Sequence, residues 1–471
     1  MTSQSQSIAI VGGGFSGTIT AVHLLRRPPA NVRRIIIVDR SGAMARGVAY
    51  GTDSDHHVLN VVAGQMSAFD ADPHGFVRFV RARGLDVDDG AFVPRGFYGA
   101  YLESLLAEAA EQADGVTLER VNAEVLRIEP APTGDRALLT LSSGAEIQAA
   151  RVVLAVGNYP PETSRFAADG FPGDSRRYIS DPWARGALEA VERGAPVVLM
   201  GTGLTMVDVV MELRALGAGE CLAISRRGLL PLSHRATQRL PDRSEFPPAL
   251  ADGDGDGEAA SVRAYVRAVR RHIRDAASRD IDWRDVIASL RPSTPRLWQA
   301  LSPDERRRFL RHVKPFWDVH RHRMAPQLHE AFAALQRAGQ VTVLAGRVVS
   351  LFEEADGAVV QFRPRGAADT RALKAGAVVN CTGPVSDTRR IRESLFADLC
   401  ERGLLRPDAL GLGIETTSTG ALIGADGRPS SILFYVGPFT RARDWEATAV
   451  PELRRHARDL AEQLTASLNG V

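Results

Sequence analysis

Ile8-Ala9-Ile10-Val11-Gly12-Gly13-Gly14-Phe15-Ser16-Gly17 is the stretch on which the reading of this chain turns. The apolar run reads as a short buried strand, the glycines as a tight turn, and residues 18–25 as a helix. Gly12 permits the turn, Gly14 keeps a side chain out of the path of a pyrophosphate, and Gly17 lets helix and strand pack closely. Phosphates then lie at the helix N-terminus, beside Phe15 and Ser16. A second apolar run, residues 34–38, ends at Asp39 and Arg40, roughly 20 residues past the last glycine. An acid there accepts hydrogen bonds from ribose hydroxyls.

The pattern recurs in mid-chain. Pro196-Val197-Val198-Leu199-Met200 leads into Gly201-Thr202-Gly203-Leu204-Thr205-Met206 and a helix to about residue 216. Met206 stands where the third glycine would be, so helix and strand should sit slightly further apart, and a plain βα turn without ligand is the competing reading. After the next strand the acid is replaced by Ser225-Arg226-Arg227, a set better suited to the 2′-phosphate of NADP than to the bare ribose of NAD. Gly201, Gly203, Leu204, Thr205, Ser225, Arg226 and Arg227 are therefore assigned to NADPH.

Residues 116–157 and 341–383 each read as a β-meander returning to a buried strand that stops at a glycine, Gly157 and Gly383. Tandem dinucleotide folds with such meanders predict an α/β protein of the two-dinucleotide flavoprotein type, with two Rossmann-like domains. The expected division is 1–160 and 345–471 for FAD and 161–344 for NAD(P)H, with a helical insertion at about 242–340. FAD is assigned to Gly12, Gly14, Phe15, Ser16, Gly17, Asp39 and Arg40, with Gly157, Gly383, Gly437 and Thr448 at later strand and helix ends.

Within the insertion, the acidic glycine-rich stretch 251–258 reads as a flexible loop. A calcium loop fails there because Arg263 stands where the bidentate Glu is needed. From Ser261 the apolar spacing turns helical, predicting a small cap. It ends in Phe316-Trp317-Asp318-Val319-His320-Arg321-His322-Arg323-Met324. Histidines two apart do not share a helix face, which argues against zinc. Two readings stay open for this cluster: a structural anchor of the cap, or an anion-binding or proton-handling wall that includes His320 and Arg323. At the C-terminus, Trp445-Glu446-Ala447-Thr448-Ala449-Val450-Pro451 opens an amphipathic helix with Pro in its first turn. That helix either directs its positive end at the flavin or only closes the domain.

Of 471 residues, 44% are apolar and 24% charged, and 58 Lys+Arg nearly balance 56 Asp+Glu. This composition predicts a folded protein of several domains and gives no basis for a nucleic-acid arm or a membrane anchor. The cysteines, Cys221, Cys381 and Cys400, form no CxxC pair, which excludes a dithiol redox motif. With a short polar start and no long apolar run, a cytoplasmic location is expected. No metal site is predicted.

The segments IAIVGGGFSG, RGVAYGT, HVLNVVAGQMSAF, FVPRGFYGAYL, GTGLTMVD, SRRGLLP, FWDVHRHR and WEATAVPELR resemble the bacterial FAD-NAD(P)-binding protein family of the YdhS type, over nearly the whole chain. The wider group similar to it includes class B-like and N-hydroxylating flavin monooxygenases, with urate hydroxylation and aspartate N-oxidation among related activities. The resemblance implies that Asn60, Gln65, Met66, Ser67 and Ala68 lie along the isoalloxazine, and that Arg95 and Tyr98 lie near flavin or substrate. Arg95, Tyr98, His320 and Arg323 are the substrate-side candidates. The expected activity is NADPH-dependent monooxygenation of a small polar or anionic metabolite through a flavin C4a-hydroperoxide, with molecular oxygen as co-substrate. The alternatives are an NAD(P)H:acceptor reductase or oxidase, and a flavin-binding redox sensor.

Overall fold

The computed structural model describes residues 6–162, 175–236, 246–250 and 260–470. The stretch 251–258, and with it the loop and calcium readings, lies outside the described residues.

The chain opens as the glycine turn dictates: β1 (Gln6–Val11), α1 (Phe15–Arg26) and β2 (Val32–Asp39). After α2 (Arg95–Glu111) come β3 (Thr117–Asn122), the antiparallel set β4 (Val125–Pro130), β5 (Ala137–Leu141) and β6 (Glu146–Ala149), and the return strand β7 (Arg151–Leu154). β1 is buried along nearly its whole length, as a strand with helices or sheet on both faces must be.

The second half repeats the plan. β8 (Tyr178–Ile179) precedes β9 (Val197–Met200), α3 (Leu204–Ala215) and β10 (Cys221–Ser225). The predicted cap follows as α4 (Val262–Ala277), α5 (Trp283–Ser289), α6 (Thr294–Ala300), α7 (Pro303–Arg308), a π-helical turn (Phe309–Val313), α8 (Lys314–Arg321) and α9 (Pro326–Arg337). Ser261, Asp282 and Ser302 cap α4, α5 and α7 by accepting first-turn N–H groups. Then come β11 (Val341–Glu354), β12 (Gly357–Pro364), β13 (Arg371–Ala375) and β14 (Ala377–Asn380). β15 (Ala421–Ile423), β16 (Pro429–Tyr435) and α10 (Val450–Asn469) complete the chain.

Six strands form the first sheet in the order β15-β16-β7-β1-β2-β3, all parallel except the edge strand β15. Seven form the second, β13-β12-β11-β10-β9-β14-β8, parallel from β11 to β8. The second meander is continuous with its parallel sheet because β11 runs unbroken from β10 to β12: residues 341–345 pair with β10 and 346–354 with β12. In the first half a break after Asn122 separates β3 from β4, and the meander stands as its own sheet.

This pairing corrects the expected boundary at 344/345. β11 to β14 belong to the second sheet, so the return to the first fold comes after Asn380. Gly383, assigned to FAD from sequence, thus follows a strand of the second fold.

Candidate active site: two nucleotide turns and a cap

The first turn is built by contact. At φ +107°, Gly12 lies so close to β7 that a Cβ would fall 2.4 Å from the Ala155 carbonyl oxygen. A Cβ on Gly17 would fall 2.0 Å from the Gly12 oxygen, so both positions demand glycine. Gly14 differs: the nearest atom to its Cβ position is the Gly47 Cα at 3.7 Å. Gly14 is also the N-cap of α1 and offers no side-chain cap, which leaves first-turn N–H groups free for an anion. Asp39 stands beside this opening. One carboxylate oxygen accepts from Gly13 N at 2.7 Å and the other from Ser41 N at 2.8 Å, with lone pairs to spare for ribose hydroxyls. Arg40 is exposed and 3.9 Å from Glu124.

The second turn repeats the first. Gly201, at φ +110°, would set a Cβ 2.4 Å from the Cys381 oxygen, as Gly12 does with Ala155. Gly203 caps α3 without a side-chain bond and has no atom within 4 Å of its Cβ position. Met206 is fully buried against the second core. Gly157 and Gly383, just beyond the two return strands, are also matched: positive φ and open space at the Cβ position. Leu204 and Thr205 open α3. Ser225 Oγ accepts from Gly228 N at 3.0 Å and lies 2.8 Å from Thr202 Oγ1, bracing the turn that carries Arg226 and Arg227.

The loop 57–69 is held by the segment 88–95. Leu59 N donates to Val93 O, Ala63 N to Ala91 O and Gly64 N to Asp89 O, and a 3-10 turn spans Ala63–Gln65. Asn60 and Gln65 are partly exposed, Met66, Ser67 and Ala68 buried. Ser67 spends its hydroxyl on Asp72 O, and its carbonyl accepts from Arg454 of α10 at 2.7 Å.

Tyr98 is fully buried among Phe15, Tyr50, Phe76 and Tyr101. Arg95 crosses between the two folds and pairs with Asp208 of α3 at 2.6 Å, with Asp208 2% exposed. Burial raises the Asp208 carboxyl and Arg95 opposes that rise. Gly437 is required for packing, since a Cβ would fall 2.7 Å from the Tyr435 hydroxyl. Thr448 is exposed just ahead of α10.

The basic cluster of the cap is an anchor. Trp317 Nε1 donates to Glu446 at 2.7 Å, and Arg321 pairs with the same carboxylate at 3.2 Å. Burial disfavours the Glu446 charge, but Arg321, His322, the Trp317 indole and Arg441 outweigh it and hold the group below its ordinary range. Arg291 forks onto Glu452, and Trp298 stacks on Trp445 at 4.8 Å. The cap is thereby fastened to the start of α10. His320 is held by its own helix, Nδ1 lying 2.7 Å from Phe316 O, and packs on Trp283. Arg323 is buried near Trp283 and shows no carboxylate partner among the described residues. His234, missed in the sequence, joins the cap side to the loop 57–69: its Nε2 is 3.1 Å from Asn60 O. Burial and Arg323 push it down to about 3, so it is neutral.

Residues 9–159 match the family model described as FAD-NAD(P)-binding. The matched segment is the first dinucleotide fold and its meander. No curated protein sequence matches the chain. Among solved structures, the ornithine hydroxylase PvdA of Pseudomonas aeruginosa superposes with a TM-score of 0.65 at 16% identity, covering 98% of this chain and 100% of that one. The ornithine N-hydroxylase KtzI of Kutzneria sp. 744, solved with reduced FAD, NADP+ and L-ornithine, gives 0.60 at 16%, covering 98% and 99%. The bacillithiol disulfide reductase of Bacillus cereus gives 0.55 at 12%, covering 98% and 99%. At these identities the likeness establishes a shared two-dinucleotide flavoprotein fold. Among the described residues, no helix is long and apolar enough to cross a membrane.

Proposed function

We propose that the protein is an FAD-dependent, NADPH-using monooxygenase of a small polar or anionic metabolite. The observation that carries this reading is one nucleotide turn built twice in two chemical versions. The Gly12 turn has an acid beside it and the Gly201 turn has Arg226 and Arg227. The first suits FAD, held by the free N–H groups of the α1 N-terminus and by Asp39. The second suits NADPH. When bound, FAD accepts hydride from NADPH and activates oxygen, and the protein's part is to orient both cofactors and keep water out.

The solved neighbours include hydroxylases of ornithine, one of them holding FAD and NADP+. Reduction of a disulfide through a protein dithiol lacks support here. All three cysteines are free, and burial pushes Cys221 up to about 11 and Cys381 further, away from the thiolate form that exchange requires. Free cysteines and an NADPH requirement accord with a cytoplasmic location.

The test is electron accounting with purified protein, NADPH, oxygen and a panel of amines, amino acids and purines. Monooxygenation predicts that one compound yields hydroxylated product in step with NADPH consumed. Recovery of all electrons as hydrogen peroxide, whatever compound is added, would replace this reading with an oxidase.

A further inference from the structure

Two adjoining clefts open where β10 ends. The smaller, about 350 Å3, is lined by Arg226, Arg227, Leu310, Arg311, Pro315 and Arg365. The larger, about 780 Å3, shares Arg226, Leu310 and Arg311 and extends to Arg307, Arg308 and Leu410. The guanidiniums around them are not equivalent. Arg307 is neutralised by Asp304 at 2.7 Å and Arg308 by Glu305. Arg227 lies 5.2 Å from the Phe316 ring and donates to the Arg311 carbonyl at 3.2 Å, tying the turn after β10 to the cap. Arg226, Arg311 and Arg365 have no carboxylate within 4.0 Å among the described residues.

Three separate elements deliver these three charges. Arg226 follows β10, Arg311 sits in the π-helical turn Phe309–Val313, and Arg365 begins the turn after β12. The placement of Arg365 is fixed by its backbone N–H, which donates to Ala345 O at 2.9 Å. Gly228 backs onto the same Ala345, where a Cβ would come within 3.2 Å of the alanine Cβ. Like charges held together without counter-ions favour an anion, and planar guanidinium forks match phosphate oxygens.

We propose that Arg311 of the cap and Arg365 complete, with Arg226, a phosphomonoester site, so that the cap closes over the adenosine 2′-phosphate and helps set NADPH above NADH. This rests on the reading of the Gly201 turn as the NADPH site.

The experiment is calorimetric titration of the FAD-loaded protein with 2′,5′-ADP and with 5′-AMP. Arg311→Ala and Arg365→Ala should each weaken 2′,5′-ADP about 10-fold or more, leave 5′-AMP unchanged and flatten the salt dependence of 2′,5′-ADP binding. Arg307→Ala, whose guanidinium is already paired, should bind both as the native protein does. In hydrogen exchange, 2′,5′-ADP should protect residues 309–315 of the native protein. If Arg226→Ala loses 2′,5′-ADP while Arg311→Ala and Arg365→Ala keep it, the cap has no part in the site and the inference falls alone. If the native protein does not distinguish 2′,5′-ADP from 5′-AMP, the NADPH reading falls with it.

Discussion

Gly14 and Gly17 lie in one turn and answer to different demands. A side chain at Gly17 collides with the Gly12 carbonyl, whereas one at Gly14 meets nothing closer than the Gly47 Cα at 3.7 Å and enters the space proposed for a pyrophosphate. Gly14→Val should therefore fold with a melting temperature within a few degrees of the native protein stripped of flavin and purify without yellow colour. Full flavin absorbance in that variant would contradict the assignment of the turn. Arg95→Ala strips the buried Asp208 of its partner across the two folds and should cost about 3–5 kcal/mol, read by denaturant unfolding.

His57 gives the pH prediction. Its ring packs on Trp183, Thr52 Oγ1 lies 2.6 Å from Nδ1, and burial and Arg95 push it down to about 4. Between that value and the unfolded value near 6.5, the unfolded chain holds the extra proton. Stability is therefore complete above about 6.5 and lost as pH falls toward 4, at up to about 1.4 kcal/mol per pH unit for this group. His57→Gln should reduce the slope in that range by this one group's share, while His23 and His234, also pushed down by burial, keep theirs. An unchanged slope would mean that His57 keeps an ordinary affinity for protons.

Among elements, the cap and α10 form one mechanical unit. Its helices were legible because apolar residues recur at helical spacing from Val262 onward; where they dock was not, since nothing in the spacing of Trp298 or Trp317 names Trp445 or Glu446 as partner. The loop 57–69 was illegible for a related reason. Its order comes from hydrogen bonds to residues 88–95, an irregular pairing that leaves no period in the sequence. Glu446→Ala takes from the buried Arg321 its salt-bridge partner and leaves the Trp317 N–H unpaired. Hydrogen exchange should rise across α8 and at the start of α10 while the first sheet stays protected. Unchanged exchange in α8 would show that Glu446 does not fasten the cap.

Across the whole molecule, glycine spacing revealed two dinucleotide folds, because a turn that admits a pyrophosphate tolerates few other residues. The boundary between the folds was misplaced because β11 looks the same in sequence whether it closes one sheet or begins another; only its pairing with β10 decides. Tyr98 packs in an aromatic cluster and Arg95 pairs with Asp208 across the two folds, contacts that no local pattern in the sequence announces. On the proposed reading, two turns of one geometry hold an electron acceptor and its donor. The most direct test is to mix the purified flavin-bound protein with NADPH and with NADH in the absence of oxygen and follow flavin absorbance by stopped flow. Rapid bleaching by NADPH is expected, with much slower bleaching by NADH at equal concentration and return of the absorbance when oxygen is admitted. A flavin that stays oxidised in the presence of NADPH would contradict that reading.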